Sequence, residues 1–359
     1  MKFSAIITVL TVFLLVSSCN ERGSVHLDPN AKPYSKLSEY QFFTGDIKSL
    51  TPNKGVLPYD VVTPLFSDYS EKARFVWMPA GTRAVVPDID ETFQFPEGSV
   101  LIKNFYYYLD ARSPEQGRQI VETRLLINRK HGWDALTYVW NKDQSEAHLE
   151  IAGDIKEITW TDLQGTLQHT TFIIPNKNQC KGCHEYKKEL TPIGPKVRHL
   201  NKDFNYSDGT VVNQLVKWKL TGYLELPDQN VEWPKVAQWD DPAADISSRA
   251  LSYLEINCGI CHSENGPAYV SGLYLHTQTA DPSHLGFCKS PVSAGSGSGG
   301  HKYDIVPGRP DKSILVYRME TLNPGEMMPE LGRTMVHEEG VELIRQWIAS
   351  LDGGCPDSL

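Results

Sequence analysis

Val100-Leu101-Ile102-Lys103-Asn104-Phe105-Tyr106-Tyr107-Tyr108 is dense in β-branched and aromatic residues, and it predicts a strand. Similar stretches surround it. Phe75-Val76-Trp77-Met78, Arg124-Leu125-Leu126-Ile127 and Leu136-Thr137-Tyr138-Val139-Trp140 share the pattern, as do Ile155 to Trp160 and Thr170 to Ile174. Turn residues separate them, in Pro79-Ala80-Gly81, Pro96-Glu97-Gly98 and Lys130-His131-Gly132. Short strands at this spacing predict an antiparallel β-rich domain over residues 40–175, a sandwich or a twisted sheet. No catalytic motif stands in it, and its aromatic residues read as core.

After Pro175 the pattern changes period. Val211, Val212, Leu215, Val216 and Leu220 fall near one helical face, and Gly222 is a stop signal. Asp245 opens a second helix that runs into Cys258, and His337 to Leu351 reads as an amphipathic helix. Pro227 to Pro242 reads as a linker, and Ser293 to Gly300 as a flexible loop. The expected fold class is therefore a multidomain α+β chain, in which the β-rich domain precedes all-α units.

The chain has 359 residues, 40% hydrophobic and 22% charged, which suits two or three soluble domains. Its net charge of -9 argues against nucleic acid as a partner, because phosphate contacts need clustered Lys and Arg. A local basic patch that docks another protein fits that balance.

Residues 1–18 read as a signal peptide. Lys2 precedes an apolar run from Ala5 to Val16, short for a membrane span; an uncleaved anchor helix is the alternative. Leu15-Val16-Ser17-Ser18-Cys19 resembles a bacterial lipobox, which implies cleavage before Cys19 and its lipidation. Asn20 after the Cys is similar to lipoproteins sorted to the outer membrane, here facing the periplasm. Residues 19–39 read as a tether, polar from Asn20 to about Lys36 with Pro29 and Pro33.

Seven cysteines are present. Cys19 goes to lipid, four others form two C-x-x-C pairs, and Cys288 and Cys355 remain as a candidate disulfide or as two free thiols.

The two pairs carry the chemistry. Cys180-Lys181-Gly182-Cys183-His184 and Cys258-Gly259-Ile260-Cys261-His262 are both C-x-x-C-H, the pattern of c-type haem attachment. Two thiols three residues apart meet the two vinyl groups of one porphyrin edge. The adjacent imidazole then reaches the iron. A zinc site built from two such pairs has a gap of about 15–20 residues, whereas 74 residues (184 to 257) separate these. A thioredoxin-like pair would need neither the His nor the repeat. Two covalently bound haem c groups are therefore expected, on Cys180, Cys183 and His184 and on Cys258, Cys261 and His262.

The distal ligands differ. Met328, in Met327-Met328-Pro329, lies 66 residues after His262 and is the candidate for the second iron, with Met327 as its neighbour and competitor. For the first iron the choice stays open between His199, 15 residues after His184, His169, 11 residues before Cys180, another donor, a Met from elsewhere in the chain, and none.

The segment from about 245 to 352 resembles class I cytochrome c, which implies an all-α domain over residues 236–359 whose first and last helices cross, with Tyr253 and Trp347 at the contact. Residues 176–235 form the first haem-binding region. Pro64-Leu65-Phe66-Ser67-Asp68-Tyr69, Phe95-Pro96-Glu97-Gly98, Gln179 to His184 and Ile193 to Asn201 together resemble a bacterial lipoprotein family of two-haem c-type cytochromes with a β-rich N-terminal region. That resemblance implies electron transfer with a redox partner protein in the cell envelope, attached to the membrane by the lipid. The alternatives are a two-haem oxidoreductase or peroxidase with an open site at the first haem, and a binding role led by the β region.

Overall fold

The computed structural model describes residues 24–226 and 232–356. Cys19 and the signal peptide lie outside the described residues. From Val25 onward the segment read as a tether packs on the protein: Val25, Leu27 and Tyr34 lie against the first core, and His26 N–H donates to the Tyr40 carbonyl.

In chain order the first half forms β1 (Leu57–Tyr59), β2 (Glu71–Trp77), β3 (Ala84–Val85), β4 (Val100–Tyr108), β5 (Arg118–Arg129), β6 (Gly132–Trp140), β7 (Ala147–Glu150), β8 (Asp154–Thr161) and β9 (Leu167–Ile174). Six of these make one antiparallel sheet in the order β1-β2-β4-β5-β6-β7, and β8 and β9 form a separate hairpin. The strands expected from composition are where the sequence places them.

Alternation along β4 sorts the faces. Val100, Ile102 and Tyr106 join Phe75, Leu125 and Tyr138 in a core that Leu37, Tyr40, Phe42 and Leu50 cover. Leu101, Lys103, Phe105 and Tyr107 point to the opposite face. That face is covered too, so nearly the whole strand is buried. This explains a sequence that reads as a continuous apolar run rather than as alternation.

What covers the second face corrects the expected fold class. The chain continues with α1 (Lys177–His184), β10 (Glu185–Tyr186), β11 (Glu189–Leu190), α2 (Val197–Leu200), β12 (Asp203–Asn205), β13 (Val211–Asn213), α3 (Gln214–Leu220) and β14 (Leu224–Glu225). These are not an all-α haem domain. Strand residues, at 25%, exceed helical ones, at 23%, and seven α-helices form among the described residues. Val197, Leu200, Leu215 and Trp218 enter one core with Val61, Val76 and Leu101, and β14 pairs in parallel with β3. The physical reason is burial. α1 buries no residue, and α2 has only four residues, so neither can close a core alone. Val211 and Val212, read as the start of a helix, pair instead with β12. The Asn213 side chain accepts from Leu215 N–H and starts α3 after them.

The last third holds α4 (Ile246–Leu254), α5 (Pro282–Leu285), α6 (Ile314–Glu320) and α7 (Glu338–Ser350), joined by turns and by isolated bridges Phe287–Ile305 and Tyr303–Ser313. Only α7 exceeds nine residues, so the all-α cytochrome c-like expectation is corrected here as well. α4 does pack on α7, with Tyr253, Leu254, Ile344 and Trp347 in one cluster. Gly340 permits that approach, because a Cβ there would lie 2.5 Å from Tyr253 Cζ. Cys288 and Cys355 are joined as a disulfide. No helix among the described residues is long and apolar enough to cross a membrane.

Candidate cofactor-binding site

Both cysteine motifs start on capped helices. The Asn176 side chain accepts from Asn178 and Gln179 N–H, and Gln179 Oε1 accepts from Asn176 N–H, a reciprocal cap that fixes the start of α1. Cys180, Cys183 and His184 then stand at i, i+3 and i+4, on one helical face. Asp245 caps α4 by accepting from Ser248 N–H. α4 widens into a π-turn over Glu255–Gly259, a feature common at functional sites, and the turn presents Cys258. Cys261 and His262 N–H both donate to the Cys258 carbonyl, so the second motif is also one compact turn.

The two motifs meet. Cys261 Sγ–H donates to the Gly182 carbonyl at 3.5 Å, across 79 positions of sequence. Cys180, Cys183, His184, Cys258 and Cys261 line one cavity of about 240 Å³ between the second sheet face and the helical segments. Such a volume is far above the ~10–15 Å³ that one water needs. Leucines and isoleucines of the sheet form much of its wall, with Met319, Met328 and Pro329 opposite.

Each motif histidine is held by a hydrogen-bond partner at Nδ1. His184 Nδ1 lies 3.0 Å from the Thr191 carbonyl, and His262 Nδ1 lies 3.0 Å from Ser271 Oγ. A ring that donates from Nδ1 keeps Nε2 for a metal, and the hydrogen bond orients it. Burial lowers both imidazoles to about 4, so each is neutral, the form that coordinates. His184 lines the cavity, whereas His262 does not.

The thiols are unequal. The hydrogen bond from Cys261 lowers Cys183 to about 7 against the opposing effect of burial, with Arg124 and Lys103 assisting. The same hydrogen bond, with burial, raises Cys261. Burial raises Cys258 to about 12.

The predicted distal ligands separate. Met328 lines the cavity with Cys258 and Cys261, and Met327 does not. His199 is absent from the lining. Its Nε2 lies 2.8 Å from Glu255 Oε1 and its Nδ1 3.3 Å from the Gly194 carbonyl, so both nitrogens are engaged. His169 is 60% exposed and pairs with Glu157 at 2.9 Å. Neither reaches the cavity, because the pairing of β8 with β9 leaves His169 on an outer face, while α2 turns His199 toward the π-turn.

Three further lining residues escaped the sequence reading. Met319 sits on the apolar face of α6, indistinguishable by pattern from core. His337 stacks on Phe66 at 4.2 Å and shares a 2.9 Å hydrogen bond with Tyr253 OH. Arg333 is 5% exposed, donates from its Nη atoms to the Met335, Arg318 and Thr321 carbonyls, and has a buried Nε without a partner. Only the last carries a signal, and that signal is tertiary: a buried cation left unsatisfied beside a cavity.

No family model matches the chain, and no curated protein or solved structure is similar enough to register as a match. The residues present do fit covalent haem. Two thiols and an oriented imidazole occupy one turn, beside an apolar cavity edged by Arg74, Lys103, Arg124 and Arg333.

Proposed function

We propose that the protein is a two-haem c-type cytochrome of the cell envelope that passes electrons to or from a redox partner protein. The observation that carries this reading is the 3.5 Å contact of Cys261 Sγ with the Gly182 carbonyl, which puts two C-x-x-C-H motifs edge to edge in one cavity. A haem c at each motif supplies a one-electron Fe(III)/Fe(II) couple. Cys180 and Cys183 hold the first group by thioethers and Cys258 and Cys261 the second. Each thiol would be held by addition across a vinyl double bond, sulfur to one carbon and the thiol hydrogen to the other, with no net oxidation. His184 and His262 present Nε2, oriented by Thr191 and Ser271. Met328, 66 residues after His262 and on the wall of the cavity that both cysteine pairs share, serves the second iron. Adjacent attachment edges make a short path between the two groups, which suits carriage. The lipid on Cys19 would keep the path at the membrane surface, on the outer membrane facing the periplasm.

A second reading, an oxidoreductase with an open position at the first haem, is favoured by one observation: neither His199 nor His169 lines the cavity. One experiment tests both. Intact-mass measurement and a pyridine haemochrome assay on the purified protein should count two covalent haems, and Cys180→Ala/Cys183→Ala should leave one. A count of zero sinks both readings. Spectra in each oxidation state then divide them: low-spin iron throughout supports carriage, and a high-spin component assigned to the first motif supports the enzyme.

A further inference from the structure

β2, β4 and β5 place three cations side by side. Arg74 is directly opposite Lys103, and Lys103 is directly opposite Arg124. All three line the cavity that holds the cysteine motifs. Side chains so paired stand about 5 Å apart at Cβ, and like charges there are destabilising. Lys72, two residues before Arg74 on the same strand face, adds a fourth, its Nζ donating to the Ser70 carbonyl.

The nearby carboxylates are already committed. Glu122, fully buried, takes Arg124 in a two-point pair. Asp60 is shared between Arg74 at 2.6 Å and Lys202 at 3.1 Å. Lys103, between the two arginines, has no ion pair and no hydrogen bond among the described residues; its Nζ lies 4.6 Å over the Phe105 ring. A partly buried ammonium flanked by two guanidiniums, with no anion of its own, is a cost that a bound anion removes. Burial first, then Arg74, Arg124 and Lys72, pushes its proton affinity well down.

The surroundings select the kind of anion. Leu101, Leu126 and Phe172 line the same cavity around the cations. Apolar wall with a cationic row suits an apolar ring that carries carboxylates at its edge. The first haem motif is the one whose imidazole faces these cations, since His184 lines the cavity and His262 does not.

We infer that Lys103, flanked by Arg74 and Arg124, is a carboxylate-binding site, and that its carboxylates are the propionates of the haem carried by Cys180 and Cys183. The inference rests on the two-haem reading above. It makes the β-rich half a wall of the cofactor site, and it gives the lysine inside a largely buried strand a reason to be there.

The test uses the haem-loaded protein with Lys103→Gln, Lys103→Arg and, as control, Lys130→Gln on the exposed turn between β5 and β6. Covalent haem is counted first. Resonance Raman spectra then read the propionate bending bands, and a potentiometric titration reads the midpoints. With two haems retained, Lys103→Gln is expected to shift the propionate bands and to lower one midpoint by about tenfold in the reduction equilibrium, near 59 mV for one electron. Lys103→Arg and Lys130→Gln should do neither. Unmoved bands in a fully loaded Lys103→Gln protein overturn the proposal alone. So does a saturable response of the wild-type spectrum to added citrate that Lys103→Gln abolishes without moving the bands, since the site would then take a solute carboxylate. Protein without covalent haem overturns the functional reading and this proposal together.

Discussion

His199 Nε2 and Glu255 Oε1 stand 2.8 Å apart, 3% and 5% exposed, and join α2 to the π-turn that presents Cys258. Thr277 donates from its N–H and hydroxyl to Glu255 Oε2, and Arg198 lies 4.0 Å from that oxygen and pairs with Asp90. One buried carboxylate thus ties the first motif's region to the second.

Breaking that tie should cost stability without touching the first iron. Removing one partner of a buried pair leaves the other charge uncompensated, so Glu255→Ala is expected to lose about 3–5 kcal/mol in denaturant unfolding. Burial pushes the Glu255 carboxyl up, but the His199 hydrogen bond and charge, followed by Thr277, hold it below the usual carboxylate range. The folded state therefore binds this proton less readily than the unfolded one, and the contribution is lost as pH falls below about 4.5. His199→Phe should leave both haem spectra unchanged; a change of spin state would reinstate it as a ligand.

Met328→Ala should lower the midpoint of one haem, because thioether ligation favours the ferrous state, whereas Met327→Ala should not. Repeating the pair of variants in a protein that lacks the first motif's thiols shows which haem responds. An unchanged potential in Met328→Ala would remove Met328 from the iron.

His337 should tilt stability with pH. Burial lowers it to about 4, against an ordinary value of 6.5. Between those values the unfolded chain takes a proton that the folded one refuses. Stability is therefore full above 6.5 and falls as pH drops toward 4, by at most about 1.4 kcal/mol per pH unit. Between pH 7.5 and pH 5, His337→Phe should lose roughly 2 kcal/mol less than the native protein in chemical denaturation. Equal losses in the two proteins would contradict the assignment.

Cys288 and Cys355 close a loop with a sequence separation of 67. Chain-entropy arithmetic for such a loop predicts about 4 kcal/mol, and observed values run about 2–5. Cys288→Ser/Cys355→Ser should lower the melting temperature accordingly, with covalent haem content unchanged. An unaltered melting temperature would mean that the bond constrains little.

Gly340→Ala should separate α4 from α7. The new methyl would lie 2.5 Å from Tyr253 Cζ and 2.7 Å from His337 Nδ1. Overpacking of this kind costs about 1–3 kcal/mol. Thermal unfolding measures it, and a neutral result would show that the helices give way freely.

The sequence by itself determined what depends on neighbours along the chain. Val100–Tyr108 became a strand because its β-branched and aromatic residues suit a pleated, buried surface. The first C-x-x-C-H became a compact helical turn because its capping residue, Asn176, stands four positions before Cys180, and the second closes on its own Cys258 carbonyl after the helix that Asp245 opens. Tertiary structure decided what depends on partners far along the chain. No periodicity reveals that Cys261 meets Gly182, that His199 is consumed by Glu255, or that Lys103 stands between two arginines. The all-α expectation failed for the same reason. Helices as short as α1 and α2 cannot bury enough apolar surface alone, so the segment that holds α2, α3 and β14 completes its core on the open face of the β-sheet, and that face becomes a wall of the site.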